Sequence, residues 1–207
     1  MSKRRKHHED QRPAAPPASA YAVDEDAPST NAELVEVTPG PDFDEIAFTP
    51  GTHGGPEVLW FNLRIVRDSR LKAKPIRLVL KHFNNLLGHG TPANCQPVMS
   101  VDDKPFARLP PGSEEVTDDG QVQAVWRLPA PARSLQVATC FPYAWEEMEA
   151  LLDDHEGSLR ADTIGVSQED LPIVRLSNRV GTRGDTSPPG IYLVARQHSG
   201  ETPGSWV

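Results

Sequence analysis

The chain has 207 residues, enough for one large or two small domains, and its net charge of −8 argues against a general nucleic-acid binder, whose contact surface is basic. No apolar run approaches the roughly 18 residues of a membrane-spanning helix, and no apolar segment follows the basic N-terminus as in a signal peptide. The two cysteines, Cys95 and Cys140, are too far apart for a metal knuckle and too few for a disulfide framework, so we expect a cytoplasmic protein. From the net charge and the lack of a long apolar run, we expect no nucleic-acid partner and no membrane partner.

Residues 1–41 are predicted to form a disordered tail. They contain a basic run, a stretch rich in Ala and Pro, and a cluster of acidic residues at positions 24–26. Such a composition buries too little apolar area to offset the entropy lost on ordering. The basic run is interpreted as a solvated tail, with an address or interaction segment as the alternative, and nothing else in the sequence supports a metal site at His7 and His8.

Residues 42–142 are predicted to form an antiparallel β-sandwich. Several short segments are either compactly apolar or alternate between apolar and polar residues, and turns rich in Gly, Pro and Asp separate them. This pattern is typical of an all-β sandwich. The predicted strands lie at residues 59–66, 76–80, 121–128 and 134–141.

Residues 51–57 contain a first candidate metal motif. They read Gly-Thr-His-Gly-Gly-Pro-Glu, which superficially resembles the zinc-binding block of aspartoacylases and succinylglutamate desuccinylases. The spacing from His53 to Glu57 is one residue too long, and the flanking residues form a Pro-Gly turn instead of a strand end. We therefore interpret this segment as a plain loop.

From residue 143 the pattern changes. Residues 144–155 carry Trp145, Met148 and Leu152 at helical spacing, and Gly157 fits a helix terminator. Residues 171–177 are predicted to form a strand with a Pro near its start. Residues 191–195, an apolar run after Pro188-Pro189-Gly190, are predicted to form a buried central strand of a mixed or parallel sheet.

The run at residues 191–195 is followed by His198 and Glu201, in the spacing His-x-x-Glu, and then by Thr202-Pro203, which favours the start of a helix. Open α/β sheets place their sites at this junction between a strand end and a helix start. A catalytic zinc takes three protein ligands, commonly two His and one Glu, and two side chains three residues apart on a tight turn can converge on one ion. The motif alone is weak, and a surface His beside a helix-start Glu is the alternative.

The flanking residues strengthen this interpretation. Residues 195–201 read Ala-Arg-Gln-His-Ser-Gly-Glu, and Ser205-Trp206 follows. The block closely resembles the zinc motif of the M14 metallocarboxypeptidases, above all of the cytosolic carboxypeptidase subfamily, in which it runs Ala-Arg-x-His-Pro-Gly-Glu and then Ser-Trp. Ser199 stands where that subfamily usually has Pro. By this resemblance His198 and Glu201 are the first two ligands of a Zn²⁺ ion.

The resemblance extends towards the N-terminus. Residues 60–64, Trp-Phe-Asn-Leu-Arg, are similar to the opening strand of the β-sandwich domain that precedes the catalytic domain in that subfamily, and residues 141–143 are similar to its closing segment. The resemblance therefore implies an α+β chain in two parts: an N-terminal antiparallel β-sandwich over residues 42–142, then the beginning of an α/β mixed-sheet carboxypeptidase domain over residues 143–207.

For function, the resemblance implies zinc-dependent removal of residues from peptide or protein C-termini. In this family the third zinc ligand, an Arg that binds the substrate carboxylate and a Glu general base lie downstream of the motif, and none can be placed on a residue of this chain. We therefore assign no catalytic residue and expect the 207-residue chain to be inactive alone. Three arginines upstream of the motif are interpreted as solvated or strand-edge residues: Arg175, Arg179 and Arg183. His89 and His155 also lie upstream and lack the flanking pattern of a zinc ligand.

Two other functions remain open. The chain could be a non-catalytic β-sandwich binding module or a truncated relic in which the His-x-x-Glu motif is vestigial. It could also be a zinc hydrolase of the desuccinylase type, although the preceding sandwich and Ser205-Trp206 argue against this. The sequence does not predict the oligomeric state.

Overall fold

The computed structural model describes residues 18–52, 58–168, 170–178, 191, 193–195, 198 and 200–206. Within these residues the chain forms twelve strands, one α-helix and three short 3₁₀ helices. The strands are β1 (Tyr21–Asp24), β2 (Ala32–Pro39), β3 (Asp44–Pro50), β4 (Asn62–Arg67), β5 (Ile76–Leu80), β6 (Val98–Val101), β7 (Ala107–Arg108), β8 (Ser113–Val116), β9 (Val122–Leu128), β10 (Ser134–Ala138), β11 (Arg160–Val166) and β12 (Pro172–Ser177). The helices are α1 (Trp145–Asp154) and the 3₁₀ helices Phe83–Asn85, Pro92–Asn94 and Thr202–Ser205.

Ten of these strands build two five-stranded sheets, which we call the two-sheet domain. The first sheet has the order β1-β4-β10-β6-β7 and the second has the order β2-β3-β5-β9-β8. All neighbours are antiparallel except β3 and β5, which run parallel. The prediction of a wholly antiparallel arrangement is wrong at this pair, because the chain leaves β3 to form β4 in the other sheet and returns in the same direction as β5.

The two sheets share one hydrophobic core. Apolar side chains of β4 and β5 point inwards at alternate positions, as the period of two in an extended strand requires. Phe48 of the second sheet meets Phe61, which directly precedes β4 of the first, with ring centroids 5.5 Å apart in an edge-to-face arrangement. Trp126 of β9 packs on the same ring at 6.2 Å. The burial that holds the domain together is therefore centred on Phe61.

The predicted strands of this region are confirmed, with shifts at their ends. Residues 76–80 coincide with β5, and the other three predicted segments correspond to β4, β9 and β10. The prediction of a disordered tail over residues 1–41 is wrong for its described part, since β1 and β2 lie within it. β1 pairs with β4, and β2 pairs with β3. Backbone pairing at the outer edge of each sheet orders these two segments, and apolar side chains of both, among them Tyr21, Val35 and Val37, pack on the hydrophobic core. Residues 1–17 lie outside the described residues.

The chain after residue 143 adds the predicted helix and a hairpin. Helix α1 begins where the Glu147 carboxylate accepts a hydrogen bond from the Ala144 amide at 2.6 Å, and Gly157 follows its end with a φ of 85°. The predicted strand at residues 171–177 is β12, which pairs with β11 in a two-stranded sheet. Among the described residues, no helix has the length and apolarity needed to cross a bilayer.

The prediction of a buried strand at residues 191–195 is wrong for the residues that the structure describes. Ile191 and Leu193 are 89% and 86% exposed, and no described residue of this run belongs to a strand. A buried parallel strand receives its hydrogen bonds and its cover from neighbouring strands and helices, and none of the described strands pairs with this run. Tyr192 lies outside the described residues.

A buried carboxylate fixes the N-terminal part of the two-sheet domain. Asp44, at the start of β3, accepts hydrogen bonds from the Ser19 hydroxyl at 2.7 Å and the Ala20 amide at 3.2 Å, and it pairs with Lys74 at 3.2 Å. Burial alone would raise the pKa of Asp44, but the hydrogen bonds from these partners outweigh it and hold the pKa below 3.8, its ordinary value.

We expect Asp44→Asn to lower the free energy of unfolding at pH 7 by about 2 kcal/mol, since hydrogen bonds to a charged group contribute roughly that much. A carboxyl whose pKa is lower in the folded state contributes fully above its unfolded pKa and loses that contribution as the pH falls through its folded pKa. Denaturant titrations between pH 7 and pH 3 measure the free energy of unfolding of both proteins. The difference between the two values should therefore shrink as the pH falls towards 3. Asp26→Asn removes an exposed carboxylate as a control. Stability curves that stay parallel over this range would contradict the assignment.

Candidate metal centre

The two predicted zinc ligands come together on one tight turn. His198 Nδ1 and Glu201 Oε1 lie 2.8 Å apart, and the His198 amide donates to the other oxygen of the same carboxylate at 3.2 Å. The Glu201 amide in turn donates to the His198 carbonyl at 3.1 Å, which closes the turn. Both side chains are more than half exposed, at 62% and 54%. The turn therefore presents an imidazole nitrogen and a carboxylate to solvent at one point.

The turn is seated on the two-sheet domain through Gly200. A β-carbon on Gly200 would lie 2.8 Å from the Leu59 carbonyl oxygen and 3.3 Å from the Trp60 β-carbon. Both contacts are closer than ordinary van der Waals packing, so only glycine fits here without a shift. Leu59 and Trp60 precede β4, which carries the core of the first sheet. The position of the motif is thus fixed against the edge of the core.

Two residues after Glu201, the buried Thr202 and the half-exposed Trp206, make contacts next to the same turn. Thr202 is fully buried and begins a 3₁₀ helix, so the predicted helix start is confirmed as one short turn. Trp206 stacks edge to face on Tyr143 with ring centroids 5.0 Å apart, and its indole N–H donates to the Phe141 carbonyl at 3.4 Å. The segment that closes the two-sheet domain, residues 141–143, therefore holds the end of the motif.

This pair of side chains suits a zinc ion. Tetrahedral zinc with bonds of about 2.1 Å to nitrogen and oxygen holds those atoms about 3.4 Å apart, so the observed pair would open by roughly 0.6 Å to bind it. In the part of the chain that the structure describes, no group of three or more His, Cys, Asp or Glu side chains could hold a metal. A catalytic zinc takes three protein ligands, and the described residues offer only this pair of candidates for them.

The other candidates from the sequence lie elsewhere. Arg175 makes a two-pronged ion pair with Asp162 across the β11–β12 hairpin, at 2.6 and 2.9 Å. His155 is exposed at the end of α1, and burial lowers the pKa of His89 in a distant loop. Arg179, Arg183, and both His53 and Glu57 of the first motif lie outside the described residues.

One contact that holds the turn could not be predicted from the sequence. The Cys140 thiol lies against the motif, where it donates to the Gly200 carbonyl at 3.3 Å and accepts from the Thr202 hydroxyl at 3.1 Å. Cys140 and Thr202 are 62 positions apart, and neither the spacing nor the composition links them. Trp206 could be singled out beforehand because it belongs to the Ser-Trp pair that follows the motif.

Comparison with known proteins defines the fold. No protein-family model and no curated protein matches the sequence. Among solved structures, the chain is similar to a metallo-carboxypeptidase from Burkholderia cenocepacia, with 18% identity, a TM-score of 0.65, and 90% of this chain and 46% of that chain covered. It is also similar to a metallo-carboxypeptidase from Pseudomonas aeruginosa in complex with (2-guanidinoethylmercapto)succinic acid, with 19% identity, a TM-score of 0.55, and 80% and 41% covered. The chain therefore has a metallo-carboxypeptidase-like fold and spans less than half the length of these two proteins.

We expect Gly200→Ala to release the turn from its seat, because the added methyl group meets backbone at 2.8 Å and overpacking of this kind costs about 1–3 kcal/mol. Alkylation of Cys140 should become several-fold faster, as the turn no longer lies against its thiol. Cys95 is an internal reference, since it is buried and burial raises its pKa to about 12.

Gly165→Ala is the matched control for this substitution. A β-carbon there would meet only the Ile173 side chain at 3.8 Å, an ordinary contact. An unchanged Cys140 alkylation rate in Gly200→Ala would show that the turn does not rest on Leu59 and Trp60.

Proposed function

We propose that the chain is part of a zinc metallocarboxypeptidase of the M14 family, similar to the cytosolic carboxypeptidases, and that His198 and Glu201 hold its zinc ion. The observation that carries this proposal is the convergence of His198 Nδ1 and Glu201 Oε1 at 2.8 Å on a turn seated against the two-sheet domain. The similarity of 90% of the chain to a metallo-carboxypeptidase fold supports it. A cytoplasmic location belongs to the same proposal.

Each of the two side chains has a distinct part in such a site. His198 would offer its Nδ1 lone pair and Glu201 a carboxylate oxygen, a mixed N and O donor set that zinc accepts. A zinc ion bound there would supply the Lewis acidity that polarises a scissile carbonyl. The exposure of both side chains leaves room on the solvent side for a substrate. We assign no general base and no carboxylate-binding Arg to this chain.

The proposed substrate is the C-terminus of a peptide or protein. Two observations support this substrate: the M14-like motif and the fold. The two similar solved structures are both described as metallo-carboxypeptidases. The second of them is in complex with a succinic acid derivative. We propose no nucleic-acid or membrane partner.

A second function is supported by one observation. No third His, Cys, Asp or Glu among the described residues is placed to bind a metal ion together with His198 and Glu201, and these two already satisfy each other with hydrogen bonds. Such a motif could be vestigial in a two-sheet binding module. The two functions differ in whether zinc binds through this pair.

Calorimetric zinc titration of the 207-residue chain decides between them. The titration should use a His7→Ala/His8→Ala background, because these two adjacent histidines could bind zinc themselves. We expect weak one-to-one binding, with the dissociation constant raised at least about tenfold, or about 1.4 kcal/mol, by His198→Ala and by Glu201→Ala. His155→Ala removes an exposed histidine as the control. Absent binding, or binding unchanged in both ligand variants, would favour the binding module.

We also expect the 207-residue chain to hydrolyse no peptide, because two ligands leave zinc weakly held and no described residue can serve as third ligand. Release of C-terminal amino acids from a mixed peptide library, followed by mass spectrometry, checks this. Hydrolysis that disappears in His198→Ala would contradict the expectation and mean that the chain contains a complete site.

A further inference from the structure

We propose that Thr202 and Cys140 form a positioning pair for the proposed metal ligands, in which a thiol at the end of a core strand fixes the turn on both sides of Glu201. The proposal rests on the proposed function for its metal and on geometry for the pair. Neither residue touches a reacting atom, so both are positioning residues.

The contacts form a short relay. The Thr202 hydroxyl donates to Cys140 Sγ at 3.1 Å, and the thiol donates to the Gly200 carbonyl at 3.3 Å. Each polar group thus has a defined donor or acceptor role in the relay. Thr202 is fully buried, so docking of the turn removes its hydroxyl from water, and the bond to Cys140 Sγ replaces the bond to water. Removal of Cys140 Sγ would leave this hydroxyl buried without that acceptor, which disfavours the docked turn.

The relay holds the residues on either side of the carboxylate. Gly200 and Thr202 flank Glu201 directly. The contacts of the relay therefore restrain the backbone of Glu201, while its side chain can still rotate. The Glu201 amide donates to the His198 carbonyl at 3.1 Å, so the imidazole follows the same backbone. Holding the two neighbours of Glu201 therefore holds the backbone that carries both candidate ligands.

The anchor of the relay is itself rigid. Cys140 follows Thr139, whose amide donates to the Phe61 carbonyl at 2.9 Å and whose hydroxyl accepts from the Phe61 amide at 2.7 Å. Phe61 is fully buried in the core between the two sheets. The backbone next to the thiol is thus held by the core, and the turn is held through its contacts with the thiol. Partners that hydrogen-bond directly to metal ligands typically change metal affinity 10- to 100-fold when removed, and we expect the lower end of that range here because this pair acts through the backbone.

The pair can be tested with conservative substitutions that keep or remove its hydrogen bonds. Thr202→Val removes the hydroxyl and Cys140→Ala removes the thiol. Thr202→Ser keeps the hydroxyl, and Cys140→Ser replaces the thiol by a hydroxyl that can make the same hydrogen bonds. Ser100→Ala is the control, since it removes a buried hydroxyl that donates to the Lys104 carbonyl in the first sheet. Thermal unfolding of each variant confirms that the two-sheet domain is folded.

The first readout needs no metal. Hydrogen exchange of the Glu201 amide, which is bonded within the turn, should be at least about tenfold faster in Thr202→Val and Cys140→Ala than in the unmodified chain, and close to the unmodified rate in Thr202→Ser and Ser100→Ala. The second readout is zinc affinity, which we expect to fall about tenfold in the same two variants and to recover with Ser at either position.

The outcomes separate the inference from the function on which it rests. Faster exchange together with weaker zinc binding supports both. Faster exchange in a chain that binds no zinc supports the positioning of the turn and contradicts the metal site. An exchange rate that Thr202→Val leaves unchanged overturns the inference, whatever zinc does, and so does zinc affinity that is equal in Thr202→Val, Thr202→Ser and Ser100→Ala.

Discussion

The structure depends on the burial of Phe61 between two β-sheets. Its ring packs against Phe48 and Trp126, which belong to the opposite sheet, and its backbone exchanges hydrogen bonds with Thr139. Thr139 precedes Cys140, on which the His-x-x-Glu turn rests. A continuous set of contacts therefore connects the hydrophobic core with the candidate metal ligands. The core determines where the turn lies, and the turn determines how close the imidazole and the carboxylate are.

The two candidate ligands are themselves exposed, and exposed side chains on a firmly held backbone are what the proposed metal site requires. A ligand pair that is more than half exposed can be reached by a metal and a substrate, while the backbone beneath it is held by glycine packing and by a buried threonine. Contacts of Gly200 and Thr202 with the two-sheet domain therefore help to order the turn in addition to the hydrogen bonds between His198 and Glu201. Loops placed on a rigid scaffold commonly carry function for this reason.

The sequence predicted those features that local pattern controls. The strands β5, β9 and β10 follow from their apolar runs and alternation, and α1 follows from its helical spacing. The proximity of His198 and Glu201 follows from their separation of three residues on a turn. The order in β1 and β2 was not predicted from the sequence, because both are edge strands in a segment rich in Ala, Pro and acidic residues, and pairing with a neighbouring strand and contact with the core order them. The parallel pairing of β3 with β5 likewise depends on a crossover between sheets.

The errors and omissions near the site have a similar cause. The apolar run at residues 191–195 has the composition of a buried strand, but composition does not provide the neighbouring strands that bury it. The contact of Cys140 with Thr202 joins residues that are far apart in the sequence, so only the fold brings them together. Side-chain chemistry and local spacing thus indicate which groups could bind a metal, whereas tertiary contacts decide how they are held.

The central claim, that His198 and Glu201 bind zinc together, is tested most directly by zinc K-edge X-ray absorption of the chain loaded with one equivalent of zinc. The account predicts one imidazole and otherwise oxygen donors at about 2.0–2.2 Å, with the imidazole scattering lost in His198→Ala. Sulfur scattering at about 2.3 Å, or imidazole scattering that persists in His198→Ala, would place the zinc elsewhere and contradict the claim.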